Sequence, residues 1–160
     1  MLKLAFTAAL LTAGLAACGN TQTTPDQGKA TPTVMNSAKD EDKPPALTVR
    51  DSSLGKIVVD GKGRTVYTYA DDKQGAAKSS CKDACLEAWP PVPAPAKPDV
   101  DKLTGDPGVT KDANGDDQLT YNGWPLYYFG GDQNPGDTNG QGAKGEWWVL
   151  NPAGEKVQTK

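Results

Sequence analysis

A chain of 160 residues with 36% hydrophobic content, 18 Gly and 13 Pro has room for one modest core, rich in turns and short strands and poor in long helices. Its formal charge of -3 comes without any window that concentrates Lys and Arg, and an acidic balance repels phosphate, so no nucleic-acid partner is expected. The chain has no histidine, which excludes a Ser-His-Asp triad, a Cys-His pair and His-ligated zinc or haem; neither a metal nor any other cofactor is expected.

The N-terminus carries Lys3 and then an uncharged apolar run from Leu4 to Ala17. At about 1.5 Å per residue this run falls short of the ~30 Å needed to span hydrocarbon as a helix, and it fits the core of a secretory signal. It ends in Leu15-Ala16-Ala17-Cys18, which resembles the lipobox of bacterial lipoproteins. That resemblance implies a signal peptide over 1–17, cleavage before Cys18 and a lipid on its sulfur, with the membrane as partner through that lipid. Several acyl chains at about 0.8 kcal/mol per buried CH₂ would make attachment permanent. The resemblance also places the protein in the cell envelope, outside the cytoplasm. Gly19 leans toward the outer membrane in a cell that has two.

Residues 18–46 hold the lipidated cysteine and a polar stretch of Thr, Gln, Asp, Lys, Ala and Pro. Such a segment cannot bury enough surface to offset its ordering entropy and is expected to be a tether. As a flexible coil its ends would lie ~30 Å apart.

The folded part is expected over 47–160. Leu54 to Tyr69 has two runs of β formers around Asp60-Gly61-Lys62-Gly63 and predicts a hairpin. Cys81-Lys-Asp-Ala-Cys85-Leu-Glu-Ala-Trp89 predicts a helical turn near 82–88 that Pro90-Pro91 ends, with Cys81 at or before its start. Pro90 to Pro98 predicts a stiff, extended connector. Asp112-Ala-Asn114-Gly-Asp116-Asp117 begins like a calcium loop, but Asp117 stands where that loop needs Gly and Gly123 where it needs an acid, so a solvated turn is expected. Gln118 to Phe129 predicts a second hairpin turning at Asn122-Gly123. Trp147 and Trp148 are adjacent and on a strand point to opposite faces, one into the core and the other toward a contact surface.

The two hairpin segments align at an offset of 60: Gly63 meets Gly123, Val66 meets Leu126, Tyr67 meets Tyr127, Tyr69 meets Phe129 and Asp72 meets Asp132. Two copies of one β unit, at about 47–98 and 110–158, are each too small to bury their own face and would share a core. The fold expected is all-β, two hairpin-based repeats with one short helical segment near the Cys-x3-Cys. At Val-Tyr67-Thr-Tyr-Ala-Asp-Asp72 and Leu-Tyr127-Tyr-Phe-Gly-Gly-Asp132 the chain resembles the secreted-repeat lipoproteins, whose tandem units carry a Tyr-x4-Asp motif. The Cys81 to Trp89 stretch and Pro135 to Gly142, leading to Trp147-Trp148, also resemble that family. The resemblance implies location and architecture and supplies no reaction.

Two readings of Tyr67, Tyr69, Asp72, Tyr127, Phe129 and Asp132 follow. Aromatic rings pair across strands, contributing ~0.5–1.5 kcal/mol each beyond burial, and the acids accept turn N–H bonds. Alternatively the two Tyr–Asp pairs line a common ligand groove. Cys81 and Cys85 are the only thiols beside Cys18, and an oxidising envelope makes them a disulfide; the alternative is a redox-active dithiol. The functional expectation is a membrane-anchored, non-enzymatic binding or surface-interaction module of unidentified protein or small-molecule partner. The alternative is an envelope thiol/disulfide redox or electron-transfer-associated protein using Cys81 and Cys85. An acid-based hydrolase using the two Asp residues would be a third.

Overall fold

The computed structural model describes Lys43 and residues 45–159; the expected signal peptide, Cys18 and almost all of the tether lie outside the described residues. β1 (Leu47–Ser52) and β2 (Gly55–Asp60) pair antiparallel across Ser53-Leu54, with Leu47 opposite Asp60. The Ser52 hydroxyl donates to Gly55 O at 2.8 Å and accepts Leu54 N–H at 3.1 Å, so a serine side chain closes this turn.

The hairpin expected over Leu54–Tyr69 is half realised. β2 is its first arm, and the turn after it forms: Asp60 Oδ1 accepts Lys62 N–H and Arg64 N–H at 2.9 and 2.8 Å, and Gly63 takes φ +79°. Beyond a single bridge between Val59 and Thr65, the second arm leaves. As β3 (Tyr67–Tyr69) it pairs instead with β7 (Trp147–Val149), Thr68 facing Trp148. The cause is competition for the edge, since Leu150 O accepts Val58 N–H at 2.9 Å and so occupies the side of β2 that β3 would need.

The second unit repeats this plan. β4 (Pro107–Lys111) and β5 (Asp117–Tyr121) form a hairpin, and β5 continues into β6 (Trp124–Pro125). The turn expected at Asn122-Gly123 is there, with φ +49° and +76°, the positive pair a two-residue hairpin requires. The loop from Asp112 to Asp116 is also a turn: Asp112 Oδ1 accepts Asn114 N–H and Asp116 N–H at 2.8 and 2.9 Å.

Between the units lies α1 (Ala84–Ala88), with Cys81 ahead of it and bonded to Cys85, their Cα atoms 5.5 Å apart. The proline run that follows is more than a connector. Over Pro90–Ala94 its alternation leaves N–H groups only on Val92 and Ala94, and these donate to Leu126 O and Asp117 O at 2.9 and 3.0 Å. Pro91 and Pro93, which have no N–H to give, occupy the alternate positions facing away.

The two units therefore exchange segments. Residues 88–94 of the first pair with the second, as Tyr128 N–H to Pro90 O and Gly130 N–H to Ala88 O at 2.8 and 2.9 Å show. Residues 146–150 of the second pair with the first, Ala70 N–H reaching Glu146 O at 2.7 Å. Both buried clusters draw on both units. One joins Leu47, Val58 and Val92 to Leu119, Leu126 and Leu150; the other joins Ile57, Tyr67 and Trp89 to Tyr127, Trp147 and Val149. The expected exposed tryptophan is not found. β7 is buried on both faces by this exchange, leaving Trp147 and Trp148 only 2% and 9% exposed. Among the described residues no helix is long and apolar enough to cross a membrane.

Candidate functional site

Tyr67 and Tyr127 meet where the two units touch. They exchange both main-chain hydrogen bonds, Tyr67 N–H to Tyr127 O at 2.8 Å and Tyr127 N–H to Tyr67 O at 2.9 Å. From this shared point each side chain runs into the opposite repeat. The Tyr67 hydroxyl donates to Asp132 Oδ2 at 2.8 Å, and the Tyr127 hydroxyl donates to Asp72 Oδ2 at 2.9 Å. The Tyr-x4-Asp spacing thus does not join a tyrosine to its own aspartate. Each motif supplies a donor to its twin and takes one back.

The remaining carboxylate oxygens tie down the loops that follow. Asp72 Oδ1 accepts Ser80 N–H at 2.6 Å; Asp132 Oδ1 accepts Asn139 N–H and its side-chain amide at 3.0 and 3.1 Å. Burial pushes both carboxyls above the ordinary carboxylate range, opposed by the N–H and phenol donors. Burial, with the neighbouring carboxylates adding to it, also pushes both phenols far above their ordinary value. The tyrosines therefore remain protonated donors, and neither can serve as a phenolate nucleophile near neutral pH.

Rings fill the space between these struts with the same pseudo-twofold pattern. Trp89 and Trp147 stack face to face with centroids 3.7 Å apart. Tyr69 stacks on Trp147 and Phe129 lies tilted on Trp89, both at 4.5 Å. Tyr67 meets Trp89 edge-on at 5.5 Å and Tyr127 meets Trp147 likewise at 5.2 Å. Cys81 is buried in this cluster, with Cys85 packed against it.

The six motif residues thus come together, but mostly in the interior. Tyr67, Tyr127 and Asp72 are buried, whereas Phe129 and Asp132 reach the wall of an open cleft of about 300 Å³. Beside them on that wall are three residues that the sequence reading passed over, Thr65, Arg64 and Tyr128. Tyr128 follows Tyr127, so alternation along an extended chain turns it away from the core, and that signal was available. Its hydroxyl donates to Asp60 Oδ2 at 3.0 Å and accepts Arg64 Nη2–H at 2.7 Å. The Arg64 guanidinium lies 3.9 Å from the centre of the Tyr128 ring, and its Nε donates to Asp60 Oδ2 at 2.8 Å. Among the described residues no group of three His, Cys, Asp or Glu side chains is placed to hold a metal ion.

A family model named Lipoprotein_15, described as a secreted repeat of unknown function, matches residues 48–93 and 108–151, together more than half of the chain. Its two matches cover the two structural units, including the exchanged segments around Trp89 and Trp147. No curated protein and no solved structure matches.

Proposed function

The chain belongs to this family of secreted repeats, and from that premise we infer that it is a lipid-anchored binding module of the bacterial cell envelope and not an enzyme. Family membership implies a location outside the cytoplasm. The anchor on Cys18 rests on the Leu15-Ala16-Ala17-Cys18 sequence, and Gly19 favours the outer membrane where a cell has two.

One observation carries the non-enzymatic reading. The acids and phenols repeated in the motif, which a reaction would need, already have partners in the crossed Tyr67–Asp132 and Tyr127–Asp72 bonds. The paired carboxylates of an acid-based hydrolase would have to be free to meet substrate and water. Asp72 is 5% exposed and has both oxygens engaged. The redox alternative is disfavoured on one side of the disulfide, because Cys81 is 1% exposed and offers little access to an attacking thiolate, which leaves the half-buried Cys85 as the point of approach.

Cells fed an alkyne fatty acid test the anchor. The protein should carry the label and sediment with membranes, and Cys18→Ser should leave it unlabelled and unprocessed. A wild-type protein without label would overturn the anchored reading.

A further inference from the structure

Asn-Gly occurs three times in the chain, as Asn114-Gly115, Asn122-Gly123 and Asn139-Gly140, and the fold surrounds the three pairs differently. We propose that Asn114 is a site of spontaneous covalent modification, at which the side-chain amide is lost and aspartate or isoaspartate takes its place, while the fold protects Asn122 and Asn139. Neither the lipid anchor nor the binding role bears on it.

The chemistry needs only water. The Gly115 main-chain nitrogen, on giving its proton to solvent, attacks Asn114 Cγ. A C–N bond forms, the Cγ–Nδ2 bond breaks, and Nδ2 takes a proton back from solvent to leave as ammonia. Water then opens the five-membered imide at either carbonyl, giving aspartate or isoaspartate without any oxidant or reductant. Glycine favours the attack because no Cβ shields its nitrogen, and the two groups are already neighbours in the chain. The side-chain amide must be free to turn, the nitrogen must be reachable, and the ring must have room.

Asn114 meets these conditions. It and Gly115 are both exposed in the loop that joins β4 to β5. Its side chain has no hydrogen-bond partner among the described residues; its main-chain N–H alone is held, by Asp112 Oδ1 at 2.8 Å. A Cβ placed on Gly115 would meet no atom within 4 Å, so the ring has open space. The Gly115 N–H makes one bond, to Asp112 O at 3.1 Å inside the same turn, and an exposed loop tip opens locally with ease.

The other two pairs fail them. Asn122 Oδ1 accepts Asp106 N–H at 2.8 Å and its Nδ2 donates to Ala153 O at 2.7 Å, while a Cβ on Gly123 would stand 2.9 Å from Gly75 N. Asn139 Nδ2 donates to Asp132 Oδ1 at 3.1 Å. Gly140 is buried, its N–H directed to the Tyr67 hydroxyl at 3.3 Å, and a Cβ there would stand 2.8 Å from Trp89 Cη2. Asn134 and Asn151 precede proline, which has no N–H to lose. Modification at Asn114 adds a negative charge beside Asp112, Asp116 and Asp117. As isoaspartate it also adds a main-chain atom to a turn closed by two bonds to Asp112 Oδ1.

The full chain, kept folded in mildly alkaline buffer and in parallel unfolded in urea, tests this. Chymotryptic peptides are sampled over weeks for the mass change of amide to acid, and isoaspartate is located by enzymatic methylation. In the folded protein Asn114 should react at least about tenfold faster than Asn122 and Asn139, whose side-chain bonds must first break. In urea the three sites should react at comparable rates. Equal rates in the folded protein, an intact Asn114 where the unfolded chain loses it, or the folded order repeated in urea would overturn the proposal.

Discussion

Replacing Tyr127 by Phe removes one oxygen from the middle of the domain. Its hydroxyl is 2.9 Å from Asp72 Oδ2, and Asp72 is 5% exposed, so no solvent shell stands ready to take its place. A hydrogen bond to a charged group contributes about 1.5–3 kcal/mol, and a buried acceptor left short of donors adds to the loss. The variant should therefore unfold about 2–3 kcal/mol more easily at pH 7, a fall of about 10 °C in Tm for a domain of this size. The loss should depend on pH. Burial already holds the Asp72 carboxyl above the ordinary range, while the Ser80 N–H and the Tyr127 hydroxyl pull it down; without that hydroxyl it rises further. A carboxyl whose folded-state pKa exceeds its unfolded value binds its proton more tightly when folded. Its destabilising effect is then full at neutral pH and disappears as pH falls through the folded-state value to the ordinary carboxylate range. Urea unfolding followed by tryptophan fluorescence at pH 7 and at pH 4 measures both quantities. Equal losses at the two pH values, or a loss under about 0.5 kcal/mol at pH 7, would refute the crossed-strut argument.

The twin bond should be weaker. Tyr67→Phe is expected to cost about 1–2 kcal/mol in the same assay, because half-exposed Asp132 keeps two bonds from Asn139 and can take water in place of the phenol. Gly140→Ala should cost about 1–3 kcal/mol by overpacking, since its new methyl would stand 2.8 Å from Trp89 Cη2 and 3.0 Å from Tyr67 Cζ. Cys81→Ser with Cys85→Ser should cost less than ~3 kcal/mol, because the closed loop is short. In the unaltered protein a monothiol should reduce this disulfide only slowly until denaturant is added; rapid reduction of the folded domain would restore the redox alternative.

Local chemistry was readable wherever neighbours in sequence determine it. Asn122-Gly123 announced its turn, and the cysteine spacing with the prolines beyond announced a short helix with Cys81 outside it. The offset of 60 announced two related units sharing a core. Pairing partners were not readable, because they lie far apart. Nothing near Tyr67 tells that β3 will join Trp147–Val149, since the deciding event is Leu150 taking the edge of β2. β1 and β4 went unmarked for a different reason. The turn at Ser53-Leu54 has no Asn-Gly signal within it, and β4 opens with Pro107-Gly108, residues that local propensity counts against a strand. The crossed Tyr–Asp bonds were hidden by the motif itself, whose spacing suggested a partner five residues on in the same repeat.

The exchange of end segments dictates when the polypeptide can finish folding. A chain delivered N-terminus first can close β1 on β2 early, but Thr68 waits for Trp148, some 80 positions downstream, before its strand has a neighbour. Until then the aromatic residues of the leading half remain uncovered, a window in which chaperones or proteases find a target. A nick just ahead of Trp147 would therefore unravel the beginning of the domain as well as its end.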